Sequence, residues 1–180
     1  SWNSAGAWKL GPSETSAWIA ANKSQVRSNY STYADTYSSD KAADEIIQYD
    51  GQFIRSSDIP ADNYNRPWTL RMGAITKLPA WQLTFTNVLR IRDGYQQILQ
   101  DGTTDYEGTT VDVYKRTSLP RAITLDTVLL WTPKISGSQA LKFKLTVENV
   151  TNRKNMTSTS SSYATYERGR TFALEGGYSF

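Results

Sequence analysis

Arg90 and Arg92, two residues apart in a segment of alternating polarity, are the side chains of this 180-residue chain best suited to meeting an anionic ligand. At that spacing both guanidiniums leave one face of a strand. Fixed cations so placed hold a carboxylate or a similar group and do not by themselves transform it. Tyr95, Tyr106 and Tyr114 follow in a stretch rich in Asp, Gly and Thr. Aromatic and polar segments of this kind suit a small-molecule vestibule, and they equally suit the internal packing of any solvated loop. The usual catalytic inventory is missing. There is no cysteine and no histidine, which removes disulfides, thiolate nucleophiles, imidazole bases and the common zinc and haem ligands. Asp101, Asp105 and Glu107 offer carboxylates to a calcium ion without the EF-hand spacing. Paired carboxylates without a pocket do not argue for a hydrolase. No catalytic residue, metal ligand or cofactor is therefore assigned, and an enzyme is not expected. Net charge is +3 with a pI near 9.0, but Lys and Arg are scattered among Asp and Glu, so nucleic acid is not expected as a partner.

The elements that carry these residues are best seen at residues 170–180. Phe172, Leu174, Tyr178 and Phe180 alternate with Thr171, Ala173, Glu175 and Ser179. A soluble sheet has little reason to stop on a free aromatic of its apolar face, whereas a strand whose apolar face meets lipid does. Only 38% of the chain is hydrophobic and the mean hydropathy is −0.55. The longest unbroken run of large apolar side chains, residues 128–131, falls far short of the roughly 18 residues of a membrane helix. A barrel strand needs only about 9–11 residues with every second one apolar, so polarity is no argument for solubility.

The same pattern recurs upstream. Residues 1–10 place Trp2, Gly6, Trp8 and Leu10 in phase before a turn at 11–14. Residues 16–28 give a strand with Trp18, Ala20 and Val26 against Lys23 and Gln25, its Ala-rich half equally compatible with a helix. Residues 67–78 set Trp68, Leu70, Met72, Ala74 and Leu78 against Thr69, Arg71, Gly73 and Lys77. After a Pro79-Ala80 turn, Trp81, Leu83, Phe85, Leu89 and Ile91 oppose Gln82, Thr84, Thr86, Arg90 and Arg92. Residues 121–132 carry Ile123, Leu125, Leu129 and Trp131 against Thr124 and Asp126. A turn over 133–139 leads to Leu141, Phe143, Leu145 and Val147 alternating with Lys142, Lys144, Thr146 and Glu148. Residues 29–65, 93–120 and 151–169 read as long polar extracellular loops, with 45–55 as a strand extension above the membrane.

The apolar set is expected to face lipid, with Trp68, Trp81, Trp131, Phe172, Tyr178 and Phe180 as interfacial girdles and a terminal assembly signal. Arg71, Lys77, Asp126, Lys142, Lys144, Glu148 and Glu175 share the other face with Arg90 and Arg92. They are expected to look into a lumen and to contact whatever fills it. Outer-membrane barrels join strands by short periplasmic turns and long outer loops, and here the connections alternate in that way over about seven strands. Single-chain bacterial barrels are even, so the chain is read as the C-terminal part of a larger barrel, broken in an extracellular loop. No signal sequence precedes Ser1, as in a mature chain or a piece of one.

Three runs match a known family. They are Leu119-Pro120-Arg121-Ala122-Ile123-Thr124-Leu125-Asp126; Leu141 to Val147 with Asn149-Val150-Thr151-Asn152; and Glu167-Arg168-Gly169-Arg170-Thr171-Phe172 with a terminal Phe180. In that order they resemble the closing strands of TonB-dependent outer-membrane transporters. Gly51, Ile59-Pro60 and Arg66-Pro67 fit the same family, and the resemblance covers residues 50–180 well and 1–49 loosely. It implies an all-β, antiparallel transmembrane barrel of about 22 strands in the bacterial outer membrane, of which this chain supplies the C-terminal strands. The family's plug domain and TonB box are not in this sequence. The implied partners are the N-terminal remainder of the barrel with its plug, as a separate or cleaved chain, and TonB through that plug. Outer-membrane lipid and lipopolysaccharide complete the surroundings. The implied substrate is a scarce nutrient such as a ferric siderophore or another metal chelate, hence iron uptake. Two other classes stay open: a self-contained eight-stranded outer-membrane barrel with a structural or adhesive role, and a secreted all-β binding module.

Overall fold

The computed structural model describes residues 1–10, 12–24, 45–60, 66–136, 139–159 and 163–179. Its principal sheet is built from β1 (Trp2–Leu10), β2 (Ser13–Lys23), β5 (Trp68–Leu78), β6 (Leu83–Arg92), β9 (Ala122–Trp131), β11 (Gln139–Glu148) and β14 (Thr171–Ser179). These pair antiparallel in that order, and a short β10 (Lys134–Ser136) hangs from the start of β11. Each long strand has 9 to 11 residues, the length a tilted strand needs to cross a bilayer. This is the antiparallel barrel-wall segment that the alternation predicts. Among the described residues β1 has only β2 beside it and β14 only β11, so the sheet is open at both edges.

Register sorts the side chains onto two faces, because directly opposed residues of an antiparallel pair point the same way. Leu70, Met72 and Leu78 lie opposite Ile91, Leu89 and Leu83. Those three lie in turn opposite Ile123, Leu125 and Trp131. Leu145 stands between Leu129 and Leu174, and Val147 lies opposite Phe172. Met72, Phe143, Phe172 and Leu174 on this face are between 38% and 76% exposed. A band of this kind is out of place in water and at home in hydrocarbon. The apolar alternation lapses once each in β6 and β9, at Asn87 and Thr127. The two lapses are register partners, and the Thr127 hydroxyl donates to Asn87 Oδ1 at 2.8 Å. Thr15 and Thr76 do the same at 3.2 Å. Polar groups on an apolar face thus satisfy one another.

The second strand differs from the expectation. It spans Ser13–Lys23, not 16–28, and Val26 and Gln25 lie outside the described residues. The residues in phase with Leu70, Met72 and Ala74 are Ala21, Ile19 and Ala17. Trp18 and Ala20 belong to the opposite face, with Arg71. Trp18 lies so close over Gly73 that a Cβ added there would sit 2.3 Å from its indole ring.

Short turns join the strands at one end and long connections at the other. The β5–β6 turn is a single 3-10 turn, Pro79–Trp81, closed by Gln82 in the left-handed region at φ 56°, whose N–H reaches the Pro79 carbonyl at 3.1 Å. Trp81 therefore leaves the strand phase and stands on the turn, largely exposed. The long connections fold. Residues 45–55 form the hairpin β3 (Ile46–Tyr49) and β4 (Gln52–Arg55). Residues 93–120, expected as a loop, are instead the long hairpin β7 (Tyr95–Tyr106) and β8 (Thr109–Leu119), interrupted by a bulge at Gly102 with φ +107°. Within 151–169 lie β12 (Met156–Thr159) and β13 (Ala164–Tyr166). β3 pairs in parallel with β8 through Gln48↔Val113 and Tyr49↔Tyr114, giving a second sheet in the order β4-β3-β8-β7. Its small core is Ile47, Tyr49 and Ile98, with Ile54, Ile59 and Tyr114 packed against it. Residues 29–44 and 61–65 of the first connection lie outside the described residues, as does Phe180.

Candidate functional site

The charged face carries Arg71, Lys77, Arg90, Arg92, Asp126, Lys142, Lys144, Glu148 and Glu175 together, since each is out of phase with the apolar band. They divide by height. Toward the short-turn end Lys77 lies opposite Glu14, Lys142 opposite Gly177, and the Lys144 ammonium donates to Glu175 at 2.8 Å. Glu148, at the opposite, long-connection end of β11, accepts the Thr171 hydroxyl at 2.9 Å.

Toward the long-connection end the face opens into a cleft of about 290 Å³ whose charged lining is Arg71, Arg90, Arg92, Asp126, Glu148, Glu167 and Arg168. Arg90 is ion-paired with Asp126, and Arg92 with Glu167. Arg71 lies directly opposite Arg90 and has no carboxylate partner among the described residues.

A turn that replaces a strand holds this cleft together. β11 pairs β9 only as far up as Thr127, leaving residues 122–126 of β9 without that neighbour. The segment after β11 fills the place. The Val150 N–H reaches the Leu125 carbonyl at 2.7 Å, and the Asn149 N–H reaches Asp126 Oδ1 at 2.9 Å. The Asn155 carboxamide accepts from the Ile123 N–H at 3.1 Å and donates to the Ile123 carbonyl at 3.0 Å, as a neighbouring peptide unit would. Asn149 and Asn155 are both 3% exposed. Asn149 and Asn152 tolerate the left-handed backbone the turn requires, at φ 50° and 52°. The Asn155 amide also donates to Glu167 Oε2 at 2.9 Å. Burial pushes the Glu167 carboxyl up. The hydrogen bonds of Arg92 and Asn155, the Arg92 charge and the Thr124 hydroxyl outweigh it and hold the group below the usual carboxylate range.

The three tyrosines sit above the cleft, in the folded connections. Tyr95 lies under the Arg66 guanidinium at 5.1 Å, Tyr106 packs against Phe53 with centroids 4.6 Å apart, and Tyr114 leans on the small core. Of the aromatics assigned to the girdles, Trp68 lies beneath Arg121 at 5.0 Å and Phe172 beneath Arg170 at 5.9 Å. A cation thus stands on the water side of each ring. At the other end Trp131 stacks on Phe143 at 5.7 Å and Tyr178 lies opposite Leu141. Sequence reasoning gave no role to Glu167, Asn149, Asn155 or Thr124. The crowding of asparagines at 149, 152 and 155 was the available signal, since Asn is the residue for a turn that must also satisfy backbone groups. No cluster of three or more potential metal ligands occurs among the described residues.

No family model matches the chain. It is 26% identical over 145 residues to the uncharacterized protein YddB of Escherichia coli (strain K12), across 77% of this chain and 18% of that one. The crystal structure of the outer membrane transporter YddB from Escherichia coli superposes with a TM-score of 0.69 at 20% identity, covering 93% of this chain and 23% of the other. The chain thus spans less than a quarter of the length of the proteins it matches. With the exposed apolar band on one face and the charged face behind it, this likeness makes the fold that of an outer-membrane barrel wall, and the place of such a wall is the bacterial outer membrane.

Proposed function

We propose that this chain forms part of the wall and the outer binding surface of a TonB-dependent outer-membrane transporter, its C-terminal strands in the complete barrel. The nutrient is scarce and anionic, a ferric siderophore or another metal chelate. The observation that carries this reading is the two-faced open sheet. An apolar band backs a charged face whose cleft opens at the end where the long connections fold into a second sheet. The remaining strands, the plug and the coupling to TonB belong to the rest of the transporter, in one longer polypeptide or in a separate or cleaved chain. Unpaired ladder edges in lipid cost several kcal/mol per group. The open edges at β1 and β14 therefore favour this reading over a self-contained eight-stranded barrel.

In the intact transporter, changing Arg90 and Arg92 together to Gln is expected to abolish growth on the chelate it takes up under iron limitation. Lys144→Gln, lower on the same face, leaves growth intact. Equal growth of the double variant and wild type on every chelate tested sinks the ligand assignment. Recovery of the protein from the soluble fraction, without heat-modifiable migration, sinks the barrel reading itself.

A further inference from the structure

We infer that Trp18 and Arg71 form a subsite for a small organic anion bearing a flat ring, beside the cleft already described; this deepens the proposed transport reading and rests on it. The sequence pattern alone puts Trp18 among the lipid-facing residues. The register puts it on the charged face, opposite Ala5 on one side and Gly73 on the other. Gly73 is buried because the indole lies over it: a Cβ there would come within 2.3 Å of both Cε2 and Nε1. One side of the ring therefore rests on the β5 backbone, and the residue keeps 37% of its surface exposed. Its nearest register neighbours, Ala5, Ala20 and Gly73, are small, and its two diagonal neighbours on β5 are Ile75 and Arg71, so a flat group has room to lie against the ring on the Arg71 side.

Arg71 is the diagonal neighbour of Trp18 on the same face, at a spacing of about 7–8 Å between such positions. Two guanidiniums directly opposite each other, Arg71 and Arg90, repel. Asp126 neutralises Arg90, and no carboxylate among the described residues neutralises Arg71. Four arginines line the cleft against three carboxylates, Asp126, Glu148 and Glu167. The cleft is short of one negative charge, and Arg71, one of its two arginines with no ion pair to a described carboxylate, adjoins a flat apolar surface. A guanidinium takes a carboxylate or sulfonate by two parallel hydrogen bonds, and an indole face takes a ring by offset stacking. A molecule with both groups satisfies both residues at once.

The test uses the complete transporter, purified in detergent, with the planar trisulfonated pyrene dye pyranine as probe and citrate as an anion without a ring. Wild type is expected to bind pyranine more tightly than citrate. Arg71→Gln and Trp18→Ala each weaken pyranine by about tenfold or more, and Trp18→Phe restores most of the loss. Citrate responds to Arg71→Gln and not to Trp18→Ala. Pyranine binding that is absent from wild type, or the same in wild type and both variants, overturns the inference while heat-modifiable migration still upholds the barrel. If the variants leave dye binding unchanged but lower the temperature of that migration, a polypeptide segment inside the barrel covers the two residues and the inference fails. A protein that is soluble and not heat-modifiable takes the transport reading down as well.

Discussion

Glu167 shows how much of the cleft rests on one side chain. It receives Arg92 from β6, Asn155 from the turn and Thr124 from β9, and so ties three separate stretches together. Its folded carboxyl lies below the ordinary value, so its contribution to stability is fully present above the unfolded carboxylate pKa and is lost as pH falls through the folded one. Wild-type protein in detergent should therefore lose thermal stability on acidification from neutral to about pH 3–4, and Glu167→Gln should lack that part of the loss. Parallel melting curves of the two across this range would contradict the role. Asn155→Ala leaves the Ile123 N–H and carbonyl without partners. It is expected to cost roughly 1–3 kcal/mol, read as a lower temperature of heat-modifiable migration. Arg90 and Arg92 were legible from their spacing. Glu167 was not, because its partner Arg92 is 75 residues away and nothing local to either marks the pairing.

The strands that declared themselves in the sequence, β5, β6, β9, β11 and β14, are those whose lipid face is filled by large apolar side chains, even though Ile75, Val88, Val128 and Leu130 stand on the charged face. β2 misled because its lipid-phase residues include Ala17 and Ala21, which carry little hydrophobic weight, while Trp18 on the other face carries a great deal. β7 and β8 were hidden for a different reason. Neither face of most of that hairpin is buried, so no alternation is required, and the bulge at Gly102 shifts whatever phase there is. Its folding depends on β3, through the parallel pairing and through Ile47, Tyr49 and Ile98, with Arg116 Nε donating to the Tyr49 hydroxyl at 3.1 Å. Two connections far apart in sequence therefore make one unit. Ile98→Asp places an unpaired charge in a core of three buried residues and should open both hairpins together. Limited proteolysis in detergent is expected to cut near 45–60 and near 95–119 at similar rates in the variant, with the barrel still resistant. Cleavage of one hairpin while the other stays protected would show them to be independent.

At the scale of the whole molecule, the height of the band and the place of each charge follow from the strands' span. From Trp68 to Leu78, whose register partners lead across to Trp131, β5 has 11 residues. At about 3.3 Å per residue and a tilt of about 40°, it rises roughly 25 Å, the thickness of the apolar band on outer-membrane barrels. Leu174 lies between Phe172 and Tyr178 on that face, two residues from the first and four from the second, and is 76% exposed, while its neighbour Ala173 faces the charged side opposite Thr146. One position of shift along β14 thus carries a side chain from hydrocarbon to the charged interior. In the intact transporter Leu174→Arg should cost about 2–4 kcal/mol and reduce the yield of heat-modifiable, protease-resistant barrel. Ala173→Arg, adjacent in sequence and equal in added charge, should assemble nearly as wild type. Equal damage from the two would mean that the exposed leucine packs against protein and not lipid. The alternation would then be that of a soluble sheet, and the assignment of every charge on the opposite face to a water-filled interior would fall with it.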